Sequence, residues 1–103
     1  MKFVVESIEA PVVEIDSANR AVYIRFRKTK VARTVSPDTS GAIVAVDLDR
    51  SDNVVGIELI GVREFSLPVL LRKLPFLQVK APIEKARYVA TRGARLEPEP
   101  QMA

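Results

Sequence analysis

The chain has no histidine, no cysteine and no tryptophan. Without histidine it lacks the usual general base near neutral pH and the commonest transition-metal ligand. Without cysteine it has no disulfide, no thiolate nucleophile and no thiolate metal site. Together the two absences rule out zinc centres of the His/Cys type and hydrolases of the Ser-His-Asp and Cys-His kinds. Any catalysis would fall to Asp, Glu, Lys, Tyr or Arg, with a hard cation as helper. No apolar run approaches the roughly 20 residues that span a membrane. The opening stretch "MKFVVESIEAP" is interrupted by Glu6 and Glu9, so no signal peptide is expected and the cytoplasm is the expected location.

What is present is ordinary for one small globular domain: 103 residues, 48% hydrophobic and 28% charged. Such a chain buries roughly two thirds of its unfolded surface, enough for one core without covalent staples. The expected domain is 1–93, with the Pro-rich polar end, 94–103, a disordered tail. The net charge of +3 is unevenly distributed: net −3 over 1–19, +6 over 20–35, −4 over 36–62 and +6 over 63–96. Adjacent strands of opposite charge would neutralise such blocks.

The middle of the chain has the period of strands. In "AVYIRFR", Val22, Ile24 and Phe26 alternate with Tyr23, Arg25 and Arg27, the pattern of a half-buried antiparallel strand. "VVEI" precedes it across the hairpin loop "DSANR", and Lys30–Val35, Ile43–Leu48 and Val54–Ile60 follow, separated by "SPDTSG" and "DRSDN". Phe3–Glu6 is a further edge strand. After Gly61 the period changes: Leu67, Leu70, Leu71 and Leu74 fall on one helical face, with Ser66 as N-cap, Pro68 in the first turn and Pro75 as the stop. In "APIEKARYVATRGAR" one helical turn followed by an extended arm is favoured, with a helix over 82–92 left open. The expected fold is α+β: an antiparallel β-meander of four to five strands, a short amphipathic helix over 67–74 packed on one face, and an extended basic C-terminal arm over 76–93. The core of that domain is expected over 12–62.

The segments "DSANRAVYIRF" (16–26), "KVARTV" (30–35), "VDLD" (46–49) and "VVGIEL" (54–59) occur in an order that resembles domain of unknown function family 2283, a set of small bacterial and archaeal proteins. The resemblance covers Asp16 to Val62. Arg20 stands where the family often has an acid, and the tip "RSDN" lacks the family's usual glycine; both departures lie in turns. The resemblance implies a small sheet-rich α+β domain and brings no catalytic residues. Some relatives resemble companions of toxin genes, which suggests an antitoxin-like role by association alone.

Three constellations are chemical candidates. Asp47, Asp49 and Asp52 could bind a hard cation, but Arg50 interrupts them, no glycine follows and Glu58 lies in the next strand. The preferred reading is a turn whose Asp and Asn side chains bond nearby backbone. Tyr23, Arg25, Arg27, Lys28, Lys30 and Arg33 could hold phosphates and stack a base; the plain alternative is a solvated face whose arginine stems cover the tyrosine and pair with Glu14, Asp47 or Glu58. Tyr23 with Glu58 would be an acid–base pair only if the two meet in space. Gly56 reads as a bulge or a close backbone approach.

The second sheet face would carry Tyr23, Ile43, Ala45, Val54 and Ile60, several of them apolar, which one short helix cannot cover together with the first. A homodimer or an exchanged arm is therefore expected, with no catalytic residues and no cofactor. The role expected first is a non-catalytic interaction or regulatory module with a possible protein partner. The alternative is a nucleic-acid-binding module on the basic strand pair 25–33. The third reading is a carboxylate-dependent metal enzyme.

Overall fold

The computed structural model describes residues 2–38 and 42–91. The expected tail, 94–103, lies outside the described residues, as do the last two residues of the expected arm. The chain is sheet-rich. Among the described residues the strands are β1 (Phe3–Glu6), β2 (Val12–Asp16), β3 (Ala21–Arg25), β4 (Arg33–Val35), β5 (Ile43–Leu48), β6 (Val54–Ile60), β7 (Leu77–Lys80) and β8 (Arg87–Ala90), with one α-helix, α1 (Leu67–Arg72). Six strands form a sheet in the order β4-β5-β6-β3-β2-β8, and β1 pairs with β7 in a second, two-stranded sheet.

This corrects the simple meander. The expected hairpins are present, but β8 joins β2 in parallel and β1 joins β7 in parallel. The expected arm is thus part of the fold: 77–80 completes the small sheet, a 3-10 turn at Ile83–Lys85 reverses the chain, and 87–90 becomes an edge strand of the large one. Arg87 N donates to Pro11 O and Thr91 N to Ile15 O, which ties β8 to β2 at both ends.

Alternation decides which side chains meet. Val13, Ile24, Ile57 and Val46 lie in register across four strands, as do Ile15, Val22, Leu59 and Val44. All but Ile15 are buried, and Ile15 packs against their cluster. Over this face lie α1, through Leu67, Leu70 and the following Leu74, and the small sheet, through Val5. Phe3 and Phe76 close that sheet with an edge-to-face contact at 5.9 Å.

Strict alternation fails at one place. Asp47 pairs with Gly56 but Leu48 pairs with Val54, so Val55 is an extra residue, a β-bulge. Val55 O then accepts from both Phe26 N and Arg27 N. The bulge brings Val54 into the core cluster beside Leu48, whereas unbroken alternation assigns it to the opposite face. The helix is two residues shorter than its leucine stripe. Ser66 has the extended backbone of an N-cap, yet its hydroxyl makes no capping bond. The Leu67 N–H donates to the Tyr88 hydroxyl oxygen of β8 instead, at 2.8 Å.

Candidate interaction face

The other face of the large sheet carries none of the described elements: α1 and the β1–β7 sheet both pack on the first face. Register places Arg87, Val12, Arg25, Gly56, Asp47 and Thr34 in one row across it, from β8 to β4. The next row is Val89, Glu14, Tyr23, Glu58 and Ala45; the row after it contains Ala21, Ile60 and Ile43.

A connected polar network occupies the centre. The absent side chain at Gly56 leaves a trough in which the Tyr23 ring lies flat, so close that a Cβ at Gly56 would overlap the ring atoms. The Tyr23 hydroxyl reaches across β6 and donates to Asp47 Oδ2 at 2.8 Å. Thr34 Oγ1 donates to the other oxygen, Asp47 Oδ1, at 2.7 Å. On its far side the Tyr23 ring faces the Arg25 guanidinium, 5.1 Å from the ring centroid, a cation–π contact. Arg25 Nε in turn donates to Glu14 Oε2 at 3.0 Å. One line of contacts therefore runs Glu14–Arg25–Tyr23–Asp47–Thr34, drawing side chains from β2, β3, β5 and β4 and crossing β6 at its glycine. Tyr23 is only 3% exposed although no other described element covers it.

The basic residues from 25 to 33 do not share a surface. The strands β3 and β4 are separated by β6 and β5, so there is no basic strand pair. Arg25 lies on the open face. Arg27, past the bulge, donates instead to Glu6 O of β1 at 3.3 Å. Lys28 and Lys30 are exposed in the loop before β4. Arg33 pairs with Asp52 at 2.8 Å, both side chains more than half exposed. Tyr23, buried beneath Arg25 and against Gly56, presents no ring face on which a base could stack. What the geometry shows here is an arginine stem covering a tyrosine and pairing with Glu14.

The three aspartates also go separate ways. Asp47 serves Tyr23 and Thr34. Asp49 closes the β5–β6 turn: its Oδ1 accepts from Ser51 N and Asn53 N, both at 2.9 Å. Those bonds, that from Asn53 N foremost, hold the Asp49 carboxyl below its ordinary value, with smaller help from the Asn53 side chain and Arg27. Asp52, in left-handed backbone at φ 65°, pairs with Arg33. Among the described residues no group of three or more acidic side chains is arranged to hold a metal ion. Tyr23 and Glu58 are direct cross-strand neighbours, but the Tyr23 hydroxyl is directed to Asp47.

Around the network the face is apolar at its corners. Ile43 is 66% exposed beside Ile60 and Ala45, and Val89 is 41% exposed beside Glu14. Glu58 and Arg87 on the same face form no ion pair with any described residue. Thr34 as partner of Asp47 was hidden in the sequence, because it depends on β4 pairing with β5 in one register. The Gly56 trough was signalled only by a lone glycine in a strand.

No family model, no curated protein and no solved structure matches the chain. Among the described residues no helix is long and apolar enough to cross a membrane.

Proposed function

We propose that the protein is a non-catalytic interaction module that works as a homodimer, its two copies meeting through the open face of the six-stranded sheet. The observation that supports this reading is the exposure of Ile43 on a face no described element covers. A sheet with apolar side chains on both faces is covered on both in a stable protein. Two such faces stacked about 10 Å apart form a sandwich of ordinary geometry. Burying one isoleucine contributes about 1.5–3 kcal/mol, and twofold symmetry counts it twice. Charges of both signs, Glu58 and Arg87, without an ion-pair partner among the described residues, suit a self-complementary contact, and the tied-down Tyr23 network presents a rigid centre. Kinship with domain of unknown function family 2283 belongs to the same proposal. Its four segments would supply β3, β4, β5 and β6, which are contiguous in the sheet.

Size-exclusion chromatography with light scattering tests this with the variant Ile43→Asp. The wild type should elute as a dimer and Ile43→Asp as a folded monomer with unchanged far-UV circular dichroism. A variant that remains dimeric removes the open face from the interface.

A further inference from the structure

The large sheet ends in two edges, β4 and β8. The β4 edge is guarded by familiar devices: it is three residues long, begins with Arg33, follows a loop carrying Lys28 and Lys30, and is followed closely by Pro37. The β8 edge has no lysine, no proline and no bulge. All four of its residues are exposed, Tyr88 by 48% and Val89 by 41%, and both of these residue types favour strands. Arg87 N and Thr91 N donate toward β2, to Pro11 O and Ile15 O. Backbone groups alternate in direction along a strand, so the N–H and C=O groups of Tyr88 and Ala90 point away from β2, out of the edge. No described strand lies on that side.

We propose that β8 pairs antiparallel with β8 of a second copy of the chain, about a twofold axis at Val89, so that one sheet continues through both. An edge strand with free backbone groups is the template that an extended strand completes. This register joins every outward group: Tyr88 exchanges both bonds with the partner's Ala90, and Ala90 with the partner's Tyr88. The side chains agree with it. Tyr88, whose hydroxyl is held at Leu67 N, lies opposite the small Ala90 of the partner subunit rather than another ring. Val89 meets the partner's Val89 on the open side, and Arg87 stands opposite the partner's Thr91 rather than another cation. A twofold contact requires such self-complementarity. Four residues a side is far short of the roughly 20–30 of a stable interface. The edge therefore pairs weakly, above the micromolar range, and joins chains or open-face dimers where local concentration is high. The contact does not depend on the open face.

The test uses the full chain carrying Ile43→Asp, so that the open face takes no part. As concentration rises to about 1 mM, sedimentation equilibrium should show the mass climbing above one chain. Over the same range the amide resonances of Tyr88 and Ala90, whose N–H groups take the new bonds, should move most in NMR spectra. Ala90→Pro deletes an outward N–H that β2 does not use, at an edge position where proline is tolerated. It should abolish the concentration dependence with far-UV circular dichroism unchanged. Should it misfold, Val89→Lys sets like charges face to face at the axis; it should weaken the association several-fold, and added salt should restore part of it. The proposal is overturned if the mass stays at one chain up to about 1 mM, if it climbs while these two amides stay still, or if the variants associate like their parent. Amides that stay still yet resist hydrogen exchange assign the edge to the chain's own end, which overturns it as well. If Ile43→Asp itself remains dimeric, the open-face reading fails, while the two amides and Ala90→Pro still read the edge.

Discussion

Gly56 and Tyr23 act as one unit, because the ring occupies the space a side chain at 56 would need. Gly56→Ala must lift the ring and with it the bond to Asp47. Overpacking of this kind costs about 1–3 kcal/mol, read as a lower midpoint in urea denaturation at unchanged slope. Tyr23→Phe keeps the packing and removes only the hydroxyl, leaving Asp47 with Thr34. A hydrogen bond to a charged group is worth about 1.5–3 kcal/mol, so the loss should fall in or below that range. Asp49 offers a pH-dependent test. Its carboxyl is held below the ordinary 3.8 in the folded chain, so its ionised form binds the fold better than its protonated form. Its contribution is full above that ordinary value and is lost as pH falls through the lower folded value. Asp49→Ala should therefore melt below the wild type at pH 7, and the gap between their Tm values should narrow below pH 3.8.

At the scale of elements, α1 is the lid of the core and β8 is its fastener. Leu70 is fully buried in the main cluster, and Leu70→Ala should cost about 2–5 kcal/mol by chemical denaturation. Tyr88→Phe removes the acceptor for the Leu67 N–H, a loss of about 0.5–1.5 kcal/mol, which hydrogen exchange would show as faster exchange at Leu67. Elements of this kind differ in how plainly they are written in the sequence. The hairpins of β2–β3 and β5–β6 were legible because alternation and turn residues lie within a few positions of each other. The stripe at 67–74 was legible for the same reason, apart from its last two residues. The pairings of β1 with β7 and β2 with β8 join segments more than 70 residues apart, and nothing local marks either. The bulge was signalled only as one of two readings of Gly56, and its place at Val55 waited on the register that the ladder supplies. In the open-face network Tyr23 and Arg25 were evident as one face and Asp47 was named as a partner for its arginines, but its bonds to Tyr23 and Thr34 followed only from strand order.

At the scale of the molecule, the charge blocks resolve into pairs between neighbouring elements: Glu14 with Arg25, Asp52 with Arg33, Glu6 with Lys80. Such exposed or half-exposed pairs contribute about 0–1 kcal/mol each, so they tune strand order rather than hold the fold. The core on the helix side does that. Among the described residues one face of the main sheet is covered by other elements and the other is not, its centre tied down by hydrogen bonds and its corner left apolar at Ile43. The dimer proposal follows from that asymmetry. Sedimentation equilibrium of the wild-type chain over a range of micromolar concentrations tests it most directly. A mass twice the chain's 11.4 kDa, falling toward the single-chain value on dilution, is the predicted result. A single-chain mass throughout that range would contradict it.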